Sequence, residues 1–205
     1  MDPGPRPTEW DGFIKRHAST LWAADFLSVK AWTHKGKKDH YILAFIHIGS
    51  RRVWLSPCTL HPNRVWVAQQ ARNFLMHCQF NGLEIDHLIR DRDTKFVDLF
   101  DQTLASAGID VKRLPVRSPN LNAYIERFIQ TLKHECLEHF VILGQKHLDY
   151  LAGEFVGYCH TQRPHQSMGN QPLLKLNNDQ SIEHGEVACE ERLGGLLRHY
   201  YRRAA

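Results

Sequence analysis

The 205-residue chain has no stretch approaching the roughly 20 consecutive apolar residues that a membrane-spanning helix needs, and no charged N-terminal segment followed by an apolar run. Those two absences predict a soluble, cytoplasmic protein without membrane partners. Cysteine is sparse. Cys58, Cys78, Cys136, Cys159 and Cys189 are odd in number, widely spaced and free of any C-x-x-C pair, which argues against a disulfide framework and against a structural zinc site. Charge of one sign is also lacking: 26 Lys+Arg against 22 Asp+Glu leave a net charge of +4, which permits a polyanionic partner without demanding one. No internal repeat or low-complexity segment is present. Histidine is plentiful at 14, yet no H-E-x-x-H or similar ligand pair occurs, so the histidines read as ordinary surface and core residues.

What is present is a chain 42% apolar, enough to bury the core of one domain with a short appendage. Pro3, Pro5 and Pro7 argue against regular helix or sheet over residues 1–8, and residues 1–20 are expected to be an extended lead-in. LWAADFLSV, from Leu21 to Val29, is apolar on both alternating faces, as a strand covered on both sides must be. The runs Tyr41–Ile48 and Val53–Ser56 predict two more strands around a turn at Gly49-Ser50, with Pro57 ending the second. The period then changes. Val65 to Cys78 fits a one-sided helix ending near Asn81-Gly82, and His87–Arg90 forms a short strand leading into Asp91. Thr94 is the expected N-cap of a helix stopped by Gly108, followed by a strand at Ile109–Leu114 and a loop at Pro115–Leu121. Helices are predicted from Asn122 to Phe140, with a buried stripe of Ile125, Phe128, Ile129, Leu132 and Cys136, and from Gln145 to His160.

The resulting order, βββαβαβα plus a helix, predicts an α/β fold: a five-stranded mixed sheet of three antiparallel strands and two parallel ones, with helices on both faces. Residues 166–205 form an extension with a short helix expected from Glu186 to Leu197 and a basic tail. In that tail Arg198, Arg202 and Arg203 interleave with Tyr200 and Tyr201, which a solvated terminus explains first, and contact with phosphates and bases second.

Three acids stand out for different reasons. Asp25 lies among Ala23, Ala24, Phe26 and Leu27, where an unpaired carboxylate costs several kcal/mol, so something must compensate it. Asp91 stands at a strand end, where ligands gather in open α/β sheets. Glu126 shares one helix face with Asn122, Gln130 and Lys133. Singly, Asp91 reads as a turn or cap residue and Glu126 as a solvated helix residue. Together, three converging carboxylates repel one another unless cations lie between them, and Mg²⁺ or Mn²⁺ suits oxygen ligands. Two such ions about 3.5–4 Å apart serve in-line phosphoryl displacement.

The strings DRDTKF at 91–96, RSPNLNAYIERFIQTLKHECL at 117–137 and HTQRPHQSM at 160–168 resemble the integrase core of bacterial insertion-sequence transposases and retroviral-type integrases, the Asp-Asp-Glu recombinases of ribonuclease H-like fold. The resemblance runs from about Trp22 to Leu173, with Asp91 and Glu126 separated by 34 residues, close to the family's spacing. It implies a catalytic core over 21–165 that cuts and joins DNA with two Mg²⁺ (or Mn²⁺) ions on Asp25, Asp91 and Glu126. Asn122, Arg127, Gln130, Lys133 and Arg163 become the residues expected to touch DNA. It also implies element ends and target DNA as partners, a homo-oligomer on DNA, and a bacterial, nucleoid-associated setting. The chain departs from the family pattern in two places. Arg92-Asp93 stands where many members carry Asn-Gly, making Asp93 a rival ligand, although Phe96 keeps its place. No helix-turn-helix region precedes the core, which predicts a truncated copy or a separate helix-turn-helix protein that recognises the ends. The rival readings are a ribonuclease H-like nuclease and an inactive or domesticated DNA-binding remnant.

Overall fold

The computed structural model describes residues 7–114, 122–174 and 185–203. Its centre is a five-stranded sheet in the order β3-β2-β1-β4-β5, built from β1 (Leu21–Thr33), β2 (Gly36–His47), β3 (Val53–Leu55), β4 (His87–Arg90) and β5 (Asp110–Arg113). β1, β2 and β3 pair antiparallel; β4 joins β1, and β5 joins β4, in parallel. This is the mixed α/β sheet expected from the sequence. The β1–β2 hairpin extends past the expected Val29 to Thr33 and turns at Gly36, whose φ of 87° is a left-handed conformation that glycine adopts freely.

The alternation along β1 divides the core in two. Leu21, Ala23, Leu27 and Ala31 join the layer under α4 (Ala123–Glu135) and α5 (Gly144–Thr161). Trp22 and Ala24 join the layer under α2 (Arg64–Phe80) and α3 (Asp98–Ala105), where Phe45 and Phe74 stack with ring centroids 4.0 Å apart. Helices therefore cover both faces. Asn63 caps α2, its side chain accepting from the Trp66 N–H.

Four local expectations are corrected. The lead-in contains a helix, α1 (Pro7–His17), because proline is tolerated in a first turn and Trp10, Phe13 and Ile14 share one spacing that packs on the core. Thr94 is no cap; it lies in a turn, and α3 starts at Asp98 with Val97 before it. The long helix stops at Glu135, and a 3₁₀ turn over Leu137–His139 follows. The short helix expected over Glu186–Leu197 is instead a hairpin of β6 (Val187–Arg192) and β7 (Leu197–Arg202), turned through Gly194 and Gly195 at φ of 68° and 87°. Leu197 is buried on the α5 side of the core, and Arg192 reaches Gln162 and Glu154. The loop Pro115–Leu121 lies outside the described residues.

All five cysteines are free thiols, four of them buried. No helix among the described residues is long and apolar enough to cross a membrane.

Candidate active site

Strand parity sets the first two acids side by side. Asp25 follows Leu21 and Ala23 on the face that meets α4, and Asp91 follows Ile89 onto that same side. The parallel register pairs Ala24 with Arg90, so Asp25 and Asp91 stand one step beyond its last pair, where β4 ends. Glu126 lies in the first turn of α4, beside the buried Ile125. These segments are far apart in sequence, yet Asp91 and Glu126 both lie near enough to Asp25 to act on its carboxyl.

Electrostatics report that proximity. Burial pushes the Asp25 carboxyl up to about 7, with Asp91 the larger of the charged causes and Glu126 and Asp93 adding to it, against a stabilising bond from the Phe26 N–H. That N–H donates to Asp25 Oδ1 at 2.7 Å, and the Asp93 N–H donates to Asp91 Oδ1 at 3.0 Å. Each aspartate thus has one oxygen engaged by backbone. No donor from a described residue bonds either Oδ2.

Asp93, the rival, has a different environment. Its carboxylate accepts from the Lys95 N–H at 2.9 Å and forms an ion pair with Lys95 Nζ at 2.8 Å. A carboxylate already neutralised by a neighbouring ammonium is a poorer cation ligand than one without such a partner.

Behind Asp91 lies a pair that the sequence reading missed. Arg90 is 2% exposed; its Nε and Nη2 donate to the two carboxylate oxygens of Asp101, at 2.8 and 2.6 Å, and its Nη1 donates to the Asp91 carbonyl at 2.8 Å. Arg113 adds a second cation at 2.6 Å, and the two guanidiniums hold the Asp101 carboxyl below its ordinary range although burial opposes them. Arg92 Nε donates to the Leu114 carbonyl at 3.0 Å, tying the end of β4 to the end of β5. The signal for Arg90 was the one that singled out Asp25, a charge inside a buried strand.

The residues expected to touch DNA separate into groups. Gln130 is exposed and Lys133 half-buried on the flank of α4 that carries Glu126, but Asn122 is 3% exposed, and its Oδ1 has no partner among the described residues. Arg127 is exposed on the other flank, beside Tyr124 and Thr131. Arg163 is bound by both carboxylate oxygens of Glu135.

Residues 107–172 match the family model described as "Integrase core domain". No curated protein sequence matches the chain. Among solved structures, the HTLV-2 integrase catalytic core domain in complex with magnesium is 15% identical, with a TM-score of 0.56 over 75% of this chain and 93% of that one. A chain of the simian T-cell lymphotropic virus intasome in complex with PP2A regulatory subunit B56 gamma is 11% identical, with a TM-score of 0.57 over 90% of this chain and 67% of that one. The BIV integrase catalytic core is 17% identical, with a TM-score of 0.52 over 76% and 91%. Residues 107–172 are therefore similar to an integrase core domain, and the chain shares the ribonuclease H-like fold of retroviral integrase catalytic cores.

Proposed function

We propose that this chain is the catalytic domain of a transposase or integrase, cleaving DNA and transferring strands with divalent metal held by Asp25, Asp91 and Glu126. One observation carries the reading. Asp91 and Glu126, from two distant segments, both raise the carboxyl of Asp25 at the end of the parallel strands, in a fold shared with the HTLV-2 integrase core solved with magnesium. Their donors are all carboxylate oxygens, the chemistry that Mg²⁺ or Mn²⁺ prefers, and the unengaged Oδ2 atoms of Asp25 and Asp91 fit that role. Among the described residues no three potential ligands stand close enough to chelate one ion as they are. Glu126, exposed at the first turn of its helix, would have to turn toward the two aspartates to complete the set.

Such ions, when bound, supply activation of the attacking oxygen and stabilisation of the leaving one. The protein's own part is orientation. The backbone bonds at Phe26 and Asp93 fix one oxygen of each aspartate, and the Arg90 clamp holds the Asp91 backbone. Lys133 and Gln130, on the flank of Glu126, are the residues that would meet phosphates in this reading. In this reading 21–165 is the catalytic core, and 166–205 is an appendage to it. The partners are element ends and target DNA, met as a homo-oligomer acting at the bacterial nucleoid.

The test is cleavage and joining of labelled DNA by the purified chain in Mg²⁺, Mn²⁺ or chelator. Activity that needs metal and disappears in Asp25→Asn and Glu126→Gln is the expected result. Metal-dependent activity retained in both variants overturns the assignment.

A further inference from the structure

The flank of α4 turned away from the acids borders a cavity of about 310 Å³, lined by Arg51, Tyr124, Arg127, Thr131, Arg163 and His165 over an apolar floor. We propose that this cavity takes one unpaired nucleotide of a nucleic acid strand, its phosphate between Arg51 and Arg127 and its base against Tyr124.

Its chemistry is one-sided. Three arginines and a histidine line it, and no carboxylate does among the described residues. The Arg163 charge is balanced by Glu135, whereas Arg127 is exposed and pairs with no acid among the described residues. Arg51 lies 3.5 Å over the Tyr124 ring centroid, so a planar cation already covers one face of a ring that is 40% exposed, and the base takes the face that Arg51 leaves. It stands there with a φ of 61°, a left-handed position that glycine fills most easily, and its side chain is further anchored to the Ile48 carbonyl. The turn that carries it is pressed against the α1–β1 junction, where a Cβ on Gly49 would lie 2.6 Å from the Ala18 carbonyl oxygen. The cation is thus held in place before any ligand arrives.

Size selects among anions. The cavity lies at the small end of small-molecule pockets, roughly 300–1,000 Å³, which suits one nucleotide and not the side of a duplex. His165 donates Nε2–H to the Cys159 carbonyl at 2.8 Å, leaving its Nδ1 as an acceptor. Stacking on tyrosine tolerates every base, so the site holds a strand without reading its sequence. Tyr124 and Arg127 lie on the opposite side of the buried stripe from Glu126 and Gln130, so a strand laid across the exposed side of α4 reaches both flanks. This choice of a strand over a free nucleotide rests on the integrase reading.

Binding is measured in chelator, where metal-dependent cleavage cannot occur, with a fluorescent single-stranded oligothymidylate and with the same strand carrying one 5-iodouracil for photocross-linking. Tyr124→Leu and Arg127→Ala, both on an exposed helix surface, are expected to weaken binding about tenfold each, with Asp25→Asn binding like wild type and the cross-link on the peptide holding Tyr124. Circular dichroism confirms that each variant is folded. Affinity within twofold of wild type in both variants, or inorganic phosphate competing as well as the strand does, overturns the proposal. Loss of cleavage in Asp25→Asn is read separately, so a failure of the cavity and a failure of the catalytic reading give different results.

Discussion

Arg90 reaches through the end of β4 to two places at once, Nη1 on the carbonyl of Asp91 and the rest of its guanidinium on the carboxylate of Asp101. The side chain of Arg90 points to the α3 layer, while Asp91 belongs to the α4 layer, so one residue links the two faces of the sheet at the candidate site. A buried charge that loses its partner costs roughly 3–5 kcal/mol. Asp101→Ala is therefore expected to lower stability by about 3 kcal/mol, measured by urea unfolding. Arg90→Lys, which keeps the charge but loses the bidentate fork, is expected to unfold less readily than Asp101→Ala while still slowing metal-dependent turnover.

Asp91 and Asp93 can be told apart by their partners. Asp93→Asn removes a carboxylate already paired with Lys95 and should leave metal-dependent cleavage within a few-fold of wild type. Asp91→Asn should reduce it by more than about a hundredfold, the range seen when a group stabilising transition-state charge is removed. The reverse ranking, measured as initial rates in Mg²⁺, reassigns the ligand.

Asp25 and His160 give opposing pH dependences in the metal-free protein. The Asp25 carboxyl is raised to about 7 by burial and neighbouring acids, so its contribution to stability is full below its ordinary pKa of 3.8 and is lost as pH rises through 7. The His160 ring is lowered to about 4 by burial and by Arg52, so its contribution is present above 6.5 and is lost as pH falls through 4. Each slope is at most about 1.4 kcal/mol per pH unit, and between pH 4 and 6.5 they oppose. His47 and His77, also lowered by burial, act in the sense of His160. Asp25→Asn should make stability in chelator rise more steeply from pH 4.5 to 6.5, and His160→Gln should flatten or invert that rise. Chemical denaturation at several pH values reads both, and parallel profiles for the two variants contradict the assignment.

The β6–β7 hairpin is docked by Leu197, 5% exposed, and by Arg192 on Gln162 and Glu154. Leu197→Ala should cost about 2–3 kcal/mol through lost burial and the cavity left behind, with the site itself intact. A thermal scan beside a cleavage assay separates the two effects.

Much of the fold was legible because the period of the apolar residues changes where the elements change. LWAADFLSV could only be a two-sided strand, and Val65 to Cys78 only a one-sided helix. Asp25 was legible for the same reason, since a lone acid in an apolar run demands a partner. Arg90 carried the same demand, but its partner lies 11 residues on in a helix whose start was misplaced by giving Thr94 the cap. The prolines hid α1 because a helix accepts proline only at its start, which is where Pro7 stands. Glu190, Glu191, Arg192 and Leu193 favour a helix by local preference; the glycine pair that follows, Gly194-Gly195, was the hairpin signal. The split of Arg127 from Lys133 depends on which elements cover α4, and a single helix pattern does not contain that.

The outermost strand β3 is only three residues long, and the Val53 N–H donates to Nε2 of His160 at 2.9 Å. The far edge, β5, presents Asp110, Lys112 and Arg113, each of them charged. An edge whose donor is consumed and an edge that carries charge both resist adding another strand. Both edges of the sheet thus resist extension, which works against copies of this chain polymerising edge to edge.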